Sequence, residues 1–265
     1  MGIQAQVPWL DEFRAAVERY YQDRPEDPFT EWFRDRRSEG GFVDDRHAVA
    51  TILAQARFDQ RTPSQTAFET TKMVYPLLSK RELSLEEVPE LKGIRWRKPE
   101  DSRHLFYEAY PSLRSTAKTI LDRNEWSAPK LEELVAGIPQ MGMKTSRLAV
   151  RLLHELVPDL VSIDVSEARV PIDRLVHRLA CRLGIIDPET EKLDSPGTDR
   201  RMQQFAELAF PGRPLRVDEP MWQMARSRRE GGHCYPTDPE CVGCLFETFC
   251  SKLYRDSDPS SIGSA

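Results

Sequence analysis

An all-α fold follows from three observations on the 265-residue chain. Apolar residues recur at helical spacing from one end to the other. No segment alternates apolar and polar residues as a half-buried strand does, and no Asn-Gly or Asp-Gly turn joins two such segments. Composition agrees with a folded, polar-surfaced protein of one large domain or two small ones: 39% of residues are hydrophobic and 31% charged, and a chain of this length buries a real core. No apolar run approaches the roughly 20 residues that span a bilayer. The start, Met1 to Pro8, has no basic region followed by an apolar segment, so a secretory signal is not expected and a cytoplasmic location is. Forty-three acidic against 38 basic side chains give a net charge of −5, which at first sight argues against a nucleic-acid binder. There are no internal repeats.

The elements follow in order. Leu10, Phe13, Val17, Tyr20 and Tyr21 form one face of a first helix, which Pro25 and Pro28 close. Asp44 or Asp45 caps a helix running through His47 to about Phe58, with Ala48, Ile52 and Leu53 buried. Thr62-Pro63 opens the next, which contains Phe68, Thr71, Met73 and Val74, since proline is tolerated where the N–H lacks a partner anyway. Short helices at Leu83 to Leu91 and Arg103 to Leu121 are separated by Lys92-Gly93 and Lys98-Pro99. Ser127 caps a helix over Lys130 to Ala136. The tight hairpin Gly137-Ile138-Pro139-Gln140-Met141-Gly142 follows, then a helix from Met143 to about Leu156, stopped before Pro158. After Val170-Pro171-Ile172-Asp173 a helix runs to Leu183 and ends at Gly184. It buries Leu175, Val176, Leu179, Ala180 and Leu183, and carries Arg174, Arg178 and Arg182 as a basic stripe. Asp187 to Asp199 and the tail Asp256 to Ala265 read as loops.

Chemistry concentrates in three places. Four of the five cysteines, Cys234, Cys241, Cys244 and Cys250, fall within 17 residues with spacing C-x6-C-x2-C-x5-C. Four thiolates so close can hold zinc or a [4Fe–4S] cluster, and a single short pair favours the cluster over the two knuckles of a zinc ribbon. Cys181, among apolar residues of a helix, reads as a small buried hydrophobe. The hairpin ends at a helix N-terminus whose backbone N–H groups, beside Gly142, suit an anion such as a DNA phosphate, with Lys144, Arg147 and Arg151 on the same helix. Asp173 stands where an N-cap belongs, and helix dipole and arginines would keep it ionised.

Three motifs in this order resemble the endonuclease III branch of the helix-hairpin-helix Gly/Pro–Asp (HhH-GPD) DNA glycosylase superfamily. They are Ile138-Pro139-Gln140-Met141-Gly142-Met143-Lys144-Thr145-Ser146, then Val170-Pro171-Ile172-Asp173 with Arg178 and Arg182-Leu183-Gly184, then the cysteine spacing. Ile52-Leu53-Ala54-Gln55-Ala56 and Trp222 fit the same pattern, so the resemblance spans about Asp44 to Leu253. It implies a base-excision repair glycosylase with abasic-site lyase activity, acting on an oxidised pyrimidine in double-stranded DNA as a monomer of the nucleoid. It also implies a six-helix domain (44–158) and a helical [4Fe–4S] domain (1–43 plus 159–265), with DNA in the cleft between them.

By the same resemblance Lys144 attacks the sugar C1′ and forms a Schiff base, and Asp173 stabilises positive charge on the sugar as the base leaves. Such catalysis follows the carboxylate logic of glycoside hydrolysis, and the lysine must be deprotonated to attack. Gln55 is implied to fill the gap left by the extruded nucleotide. Gln140, Gly142, Thr145 and Arg147 are the implied DNA contacts of the hairpin. Cys234, Cys241, Cys244 and Cys250 are the implied cluster ligands, in a structural role because all four iron sites are filled. Arg226, Arg228 and Arg229 would then lie on a basic loop, and Arg95, Arg97 and Lys98 along the cleft.

Two departures stand out. Gln140 occupies a position where the family commonly has glycine. Lys144 and Asp173 are 29 positions apart, about ten more than the family pattern, which implies an insertion near 157–168. That makes Asp164, 20 positions after Lys144, a rival to Asp173; the arginine-bearing helix after Asp173 favours the latter. Two other functions fit the residues less fully: a glycosylase without lyase activity for another lesion, and a non-catalytic iron–sulfur DNA-binding protein. Between residues 141 and 182 the local balance reverses to seven basic against five acidic side chains, so the acidic total describes the remainder of the chain.

Overall fold

The computed structural model describes residues 7–23, 26–59, 64–91, 101–226, 231–236 and 239–250. It is helical throughout, apart from two three-residue strands, and divides into two compact units, 25–171 and 1–24 with 172–265. These units meet at 24/25 and 171/172, where the sequence led us to expect domains meeting at 43/44 and 158/159. The helix before residue 44 packs against helices of the central unit, and the segment after 158 returns to it as a strand.

The central unit is built around α3 (Asp45–Phe58). Asp44 is its cap, accepting the His47 N–H at 2.7 Å, and every residue from His47 to Phe58 is buried. The reason is packing on several sides: α3 touches α4 (Ser64–Leu78), α5 (Ser102–Arg123) and α7 (Met143–Leu156), so the polar face of an ordinary surface helix is missing. Phe58 stacks on Phe106 of α5 at 5.9 Å between ring centroids. α6 (Ala128–Ala136) precedes the hairpin and lies against α7.

Several expectations are corrected. Pro28, read as a stop, occupies the first turn of a helix, α2 (Pro28–Ser38), whose cap Asp27 accepts from the Phe29 and Thr30 N–H groups; the missing proline N–H has no cost there. The helix expected over Leu83 to Leu91 is one 3-10 turn, Leu85–Glu87. Val88 leaves it in an extended conformation, φ −75° and ψ 121°, as the residue before Pro89 is constrained to do. The short strands β1 (Glu125–Ser127) and β2 (Ser162–Asp164) pair in parallel, Trp126 opposite Ile163; three residues are too few to show a period. The expected opening at Thr62-Pro63 and the turns Lys92-Gly93 and Lys98-Pro99 lie outside the described residues, as does the tail.

In the other unit, α1 (Leu10–Asp23) packs on α9 (Pro196–Ala209), and α8 (Arg174–Arg182) on α10 (Asp218–Ala225). α9 takes in the last residues of the expected 187–199 loop, because Ser195 caps it through the Thr198 N–H with Pro196 in the first turn. Phe13 joins the helices to the cysteine loop: its ring lies 4.9 Å from Phe205 and 5.3 Å, stacked, from Phe246. Trp9 stacks on Phe249 at 5.2 Å. Two phenylalanines between the last two cysteines thus anchor the loop in an aromatic core, an arrangement that adds about 0.5–1.5 kcal/mol per pair beyond area burial.

Candidate active site and cysteine loop

The hairpin is held from α3. Gln140 sits in the left-handed region at φ 67°, where a side chain costs energy that glycine would not. The compensation is Arg57. Its fully buried guanidinium donates to the carbonyls of Pro139 (3.1 Å) and Leu105 (2.7 Å) and to Gln140 Oε1 (2.6 Å). Burial lowers the Arg57 pKa to about 9, and these oxygens are what keep a buried cation tolerable. Gly142 then caps α7 in an extended conformation without a side-chain bond to the helix.

Lys144 is the second residue of α7, and its Nζ donates to Asp59 Oδ2 at 2.8 Å and to the Asp59 carbonyl at 3.4 Å. The pair is largely shielded from water, with side-chain exposures of 25% and 11%. Asp59 is the residue that ends α3, its N–H bonded to the carbonyls of Gln55 and Arg57. Thus Arg57 and Asp59, two residues apart, grip the hairpin on its loop and on its second helix. Neither was legible as functional, because the partners lie 82 to 85 positions downstream.

Three of the expected DNA contacts are buried and have partners within the protein. Arg147 is 2% exposed and donates to Glu132 Oε1 (3.1 Å) and the Val170 carbonyl (3.2 Å), so it ties α7 to α6 and to the chain after β2. Thr145 is buried with its hydroxyl on the Gly142 carbonyl (3.0 Å), closing the first turn of α7. Gln55 is buried on α3 and accepts the Thr71 hydroxyl at 2.8 Å. In each case a polar group on a helix face that packs inward needs an internal partner. Gln140 and Gly142 keep their places on the hairpin.

Asp173 is the N-cap of α8, Oδ1 accepting from the Leu175 (2.8 Å) and Val176 (3.0 Å) N–H groups. Its rival Asp164 is exposed at the end of β2, where it accepts the Ser166 N–H and is held below the usual carboxylate range by that bond. The basic stripe of α8 is only in part a surface feature. Arg174 is exposed. Arg178 donates to the Ala225 and Cys234 carbonyls, and Arg182, 4% exposed, to the Tyr235 (2.6 Å) and Pro236 (2.8 Å) carbonyls and to Cys234 Sγ (3.0 Å). Arg226 stacks over Trp222 at 4.7 Å; Arg228, Arg229, Arg95, Arg97 and Lys98 lie outside the described residues.

The four clustered cysteines are thiols, and Cys181 is buried as expected. Cys234 receives the Arg182 N–H, and Cys250 Sγ lies 3.6 Å from the Arg182 carbonyl. Burial pushes the Cys244 thiol up to about 11, and the neighbouring Cys234, Cys250 and Cys241 push in the same direction. The Cys244 sulfur therefore lies within electrostatic reach of the other three. Among the described residues no group of three or more His, Cys, Asp or Glu is drawn into metal-holding geometry. The close backbone at Gly232, where an added Cβ would lie 2.1 Å from the Arg226 carbonyl, fixes the entry to the loop. No described helix is long and apolar enough to cross a membrane.

No known family model matches the chain, and no curated protein matches it. Among solved structures, it is similar to a trapped endonuclease III–DNA covalent intermediate, an estranged-adenine complex. The TM-score is 0.52 and the identity 15%, over 95% of this chain and 97% of that one. The likeness runs through both units and shows that this all-α chain has the fold of that protein.

Proposed function

We propose that the protein is a base-excision repair DNA glycosylase with abasic-site lyase activity, acting on an oxidised pyrimidine in double-stranded DNA. The observation that carries this reading is the placement of Lys144. Its amine stands two residues past an N-cap without a side-chain bond, on a fold otherwise seen on DNA, with a carboxylate in hydrogen-bonding contact. Hairpin N–H groups at Gly142 bind a phosphate, which positions the duplex without reading its sequence. Lys144 displaces the base or attacks the abasic sugar at C1′, and Asp173 stabilises the oxocarbenium-like charge.

The donor set of the cysteine loop fits a [4Fe–4S] group in type: four soft thiols close in sequence, with an Arg182 N–H directed at the Cys234 sulfur. Cys234, Cys241, Cys244 and Cys250 would hold it. When bound, the group cross-links the loop and supplies no step of the reaction.

One observation favours a second reading, a glycosylase without the lyase step: the Lys144 amine is in an ion pair, and a charged ammonium is no nucleophile. A nicking assay on duplexes carrying single lesions, with and without alkali, separates the two. Strand cleavage before alkali supports the proposal. Cleavage only after alkali supports the second reading, and binding without base removal overturns both. Iron and sulfide analysis tests the cluster; a colourless zinc protein overturns it.

A further inference from the structure

We infer that Asp59 is the proton acceptor that converts Lys144 from a stored ammonium into the attacking amine, an inference that rests on the lyase reading above. The geometry is direct: Lys144 Nζ donates to Oδ2 at 2.8 Å, and Asp59 is the less exposed partner. α7 packs on α3, α6 and α2. From α3, Arg57 is committed to Pro139, Leu105 and Gln140. From α6, Glu132 pairs with Arg147 and Arg169, while Lys130 and Glu133 complete the charged groups of that helix. α2 meets the far end of α7, where Arg37 binds the Leu156 carbonyl and Asp159. Arg151 lies two turns further along α7.

Two properties follow from the pairing. In the resting site the carboxylate stabilises the ammonium and holds the side chain in one place, so the nucleophile is stored and oriented at once. In the reaction the same oxygen takes the proton. The ammonium gives one proton to Asp59 Oδ2, and the neutral amine adds its lone pair to the C1′ aldehyde of an abasic site, with a proton moving from nitrogen to oxygen, to form a carbinolamine. Asp59 then returns its proton to the departing hydroxyl. Water leaves, C1′ and nitrogen form the protonated imine, and Asp59 is again a carboxylate. Atoms and charge balance without a co-reactant. The backbone supports the role: Asp59 terminates α3, and the Arg57 grip on Pro139 and Gln140 fixes the hairpin against that same helix end.

The test uses the full-length protein and a duplex with a preformed abasic site, which removes the base-excision step. Borohydride-trapped adduct is measured from pH 5 to 9 for wild type, Asp59→Asn and Asp59→Glu; affinity for a duplex with a tetrahydrofuran analogue reports folding and binding. In wild type the rate levels off once the carboxylate is ionised. In Asp59→Asn it falls about 10²–10⁴-fold near pH 7 and climbs about tenfold per pH unit, since only spontaneously neutral amine attacks. Asp59→Glu keeps the wild-type profile. An Asp59→Asn profile parallel to wild type overturns the inference and leaves the lyase reading standing. Absence of any wild-type adduct overturns both. Should Asp59→Asn not fold, the wild-type profile decides: a rate climbing to pH 9 without a plateau overturns the role.

Discussion

Two helices in this protein begin with a proposed catalytic residue, and they begin differently. α7 opens on Gly142, which contributes no side chain to its cap, and carries Lys144 on its first turn. α8 opens on Asp173, whose carboxylate is already bonded to two of its own N–H groups. The first N-terminus has no side-chain cap, and its lysine is bonded to the end of a neighbouring helix. The second spends its carboxylate on itself. A residue that caps and catalyses is doubly committed, so its substitutions must be chosen to separate the two roles; a residue that only catalyses permits cleaner tests.

The largest expected effect is at Lys144. Lys144→Ala should reduce nicking of an abasic duplex at least about 10³-fold, as loss of a covalent nucleophile does, while affinity for the tetrahydrofuran duplex stays within a few-fold. A parallel loss of affinity would mean that Lys144 is a phosphate contact, and the contrast between the helices would fail.

At Asp173 the effect divides. Asp173→Asn and Asp173→Ala should both lower base removal by about 10²-fold or more. Asparagine caps as well as aspartate, so only the alanine variant should lose about 1 kcal/mol in denaturant unfolding. Equal activity in the asparagine variant would reduce Asp173 to a cap. Loss of activity in Asp164→Asn with retention in Asp173→Asn would transfer the role.

Smaller effects belong to the hairpin. Gln140→Gly removes the left-handed side chain but also the Arg57 bond to Oε1; the two changes, each about 1 kcal/mol, oppose one another. Stability should therefore change little, whereas Arg57→Met, which removes the buried cation and leaves three oxygen acceptors without its N–H groups, should destabilise by several kcal/mol. Smallest is Gly142→Asp. A new side-chain cap adds a few tenths of a kcal/mol to α7, and a carboxylate competing for the phosphate position should weaken duplex binding measurably at low salt. Unchanged binding would remove the anion role from this helix.

Much of this arrangement was legible from local pattern. A cap at Asp44 or Asp45 and one at Asp173 were readable because a carboxylate before an apolar-periodic run has one dominant use, and the hairpin because its glycines and proline punctuate two such runs. What was not legible is long-range. The bonds of Arg147 to Glu132 and Val170 were hidden because periodicity does not show which neighbours will enclose a cation. Arg178 and Arg182 looked like a free stripe because their acceptors are carbonyls 47 to 56 positions away. The Asp59 partner of Lys144 was invisible for the same reason. Pro28 misled locally, since the same residue ends one helix and starts another, and only the Asp27 bonds decide which.

The central claim is that Lys144 is the residue that joins DNA covalently. Borohydride trapping on an abasic duplex, followed by digestion and mass mapping of the cross-linked peptide, tests it directly. The account predicts a single adduct on the peptide that contains Lys144. An adduct on another lysine or on the terminal amine, or strand cleavage with no trappable adduct, would contradict it.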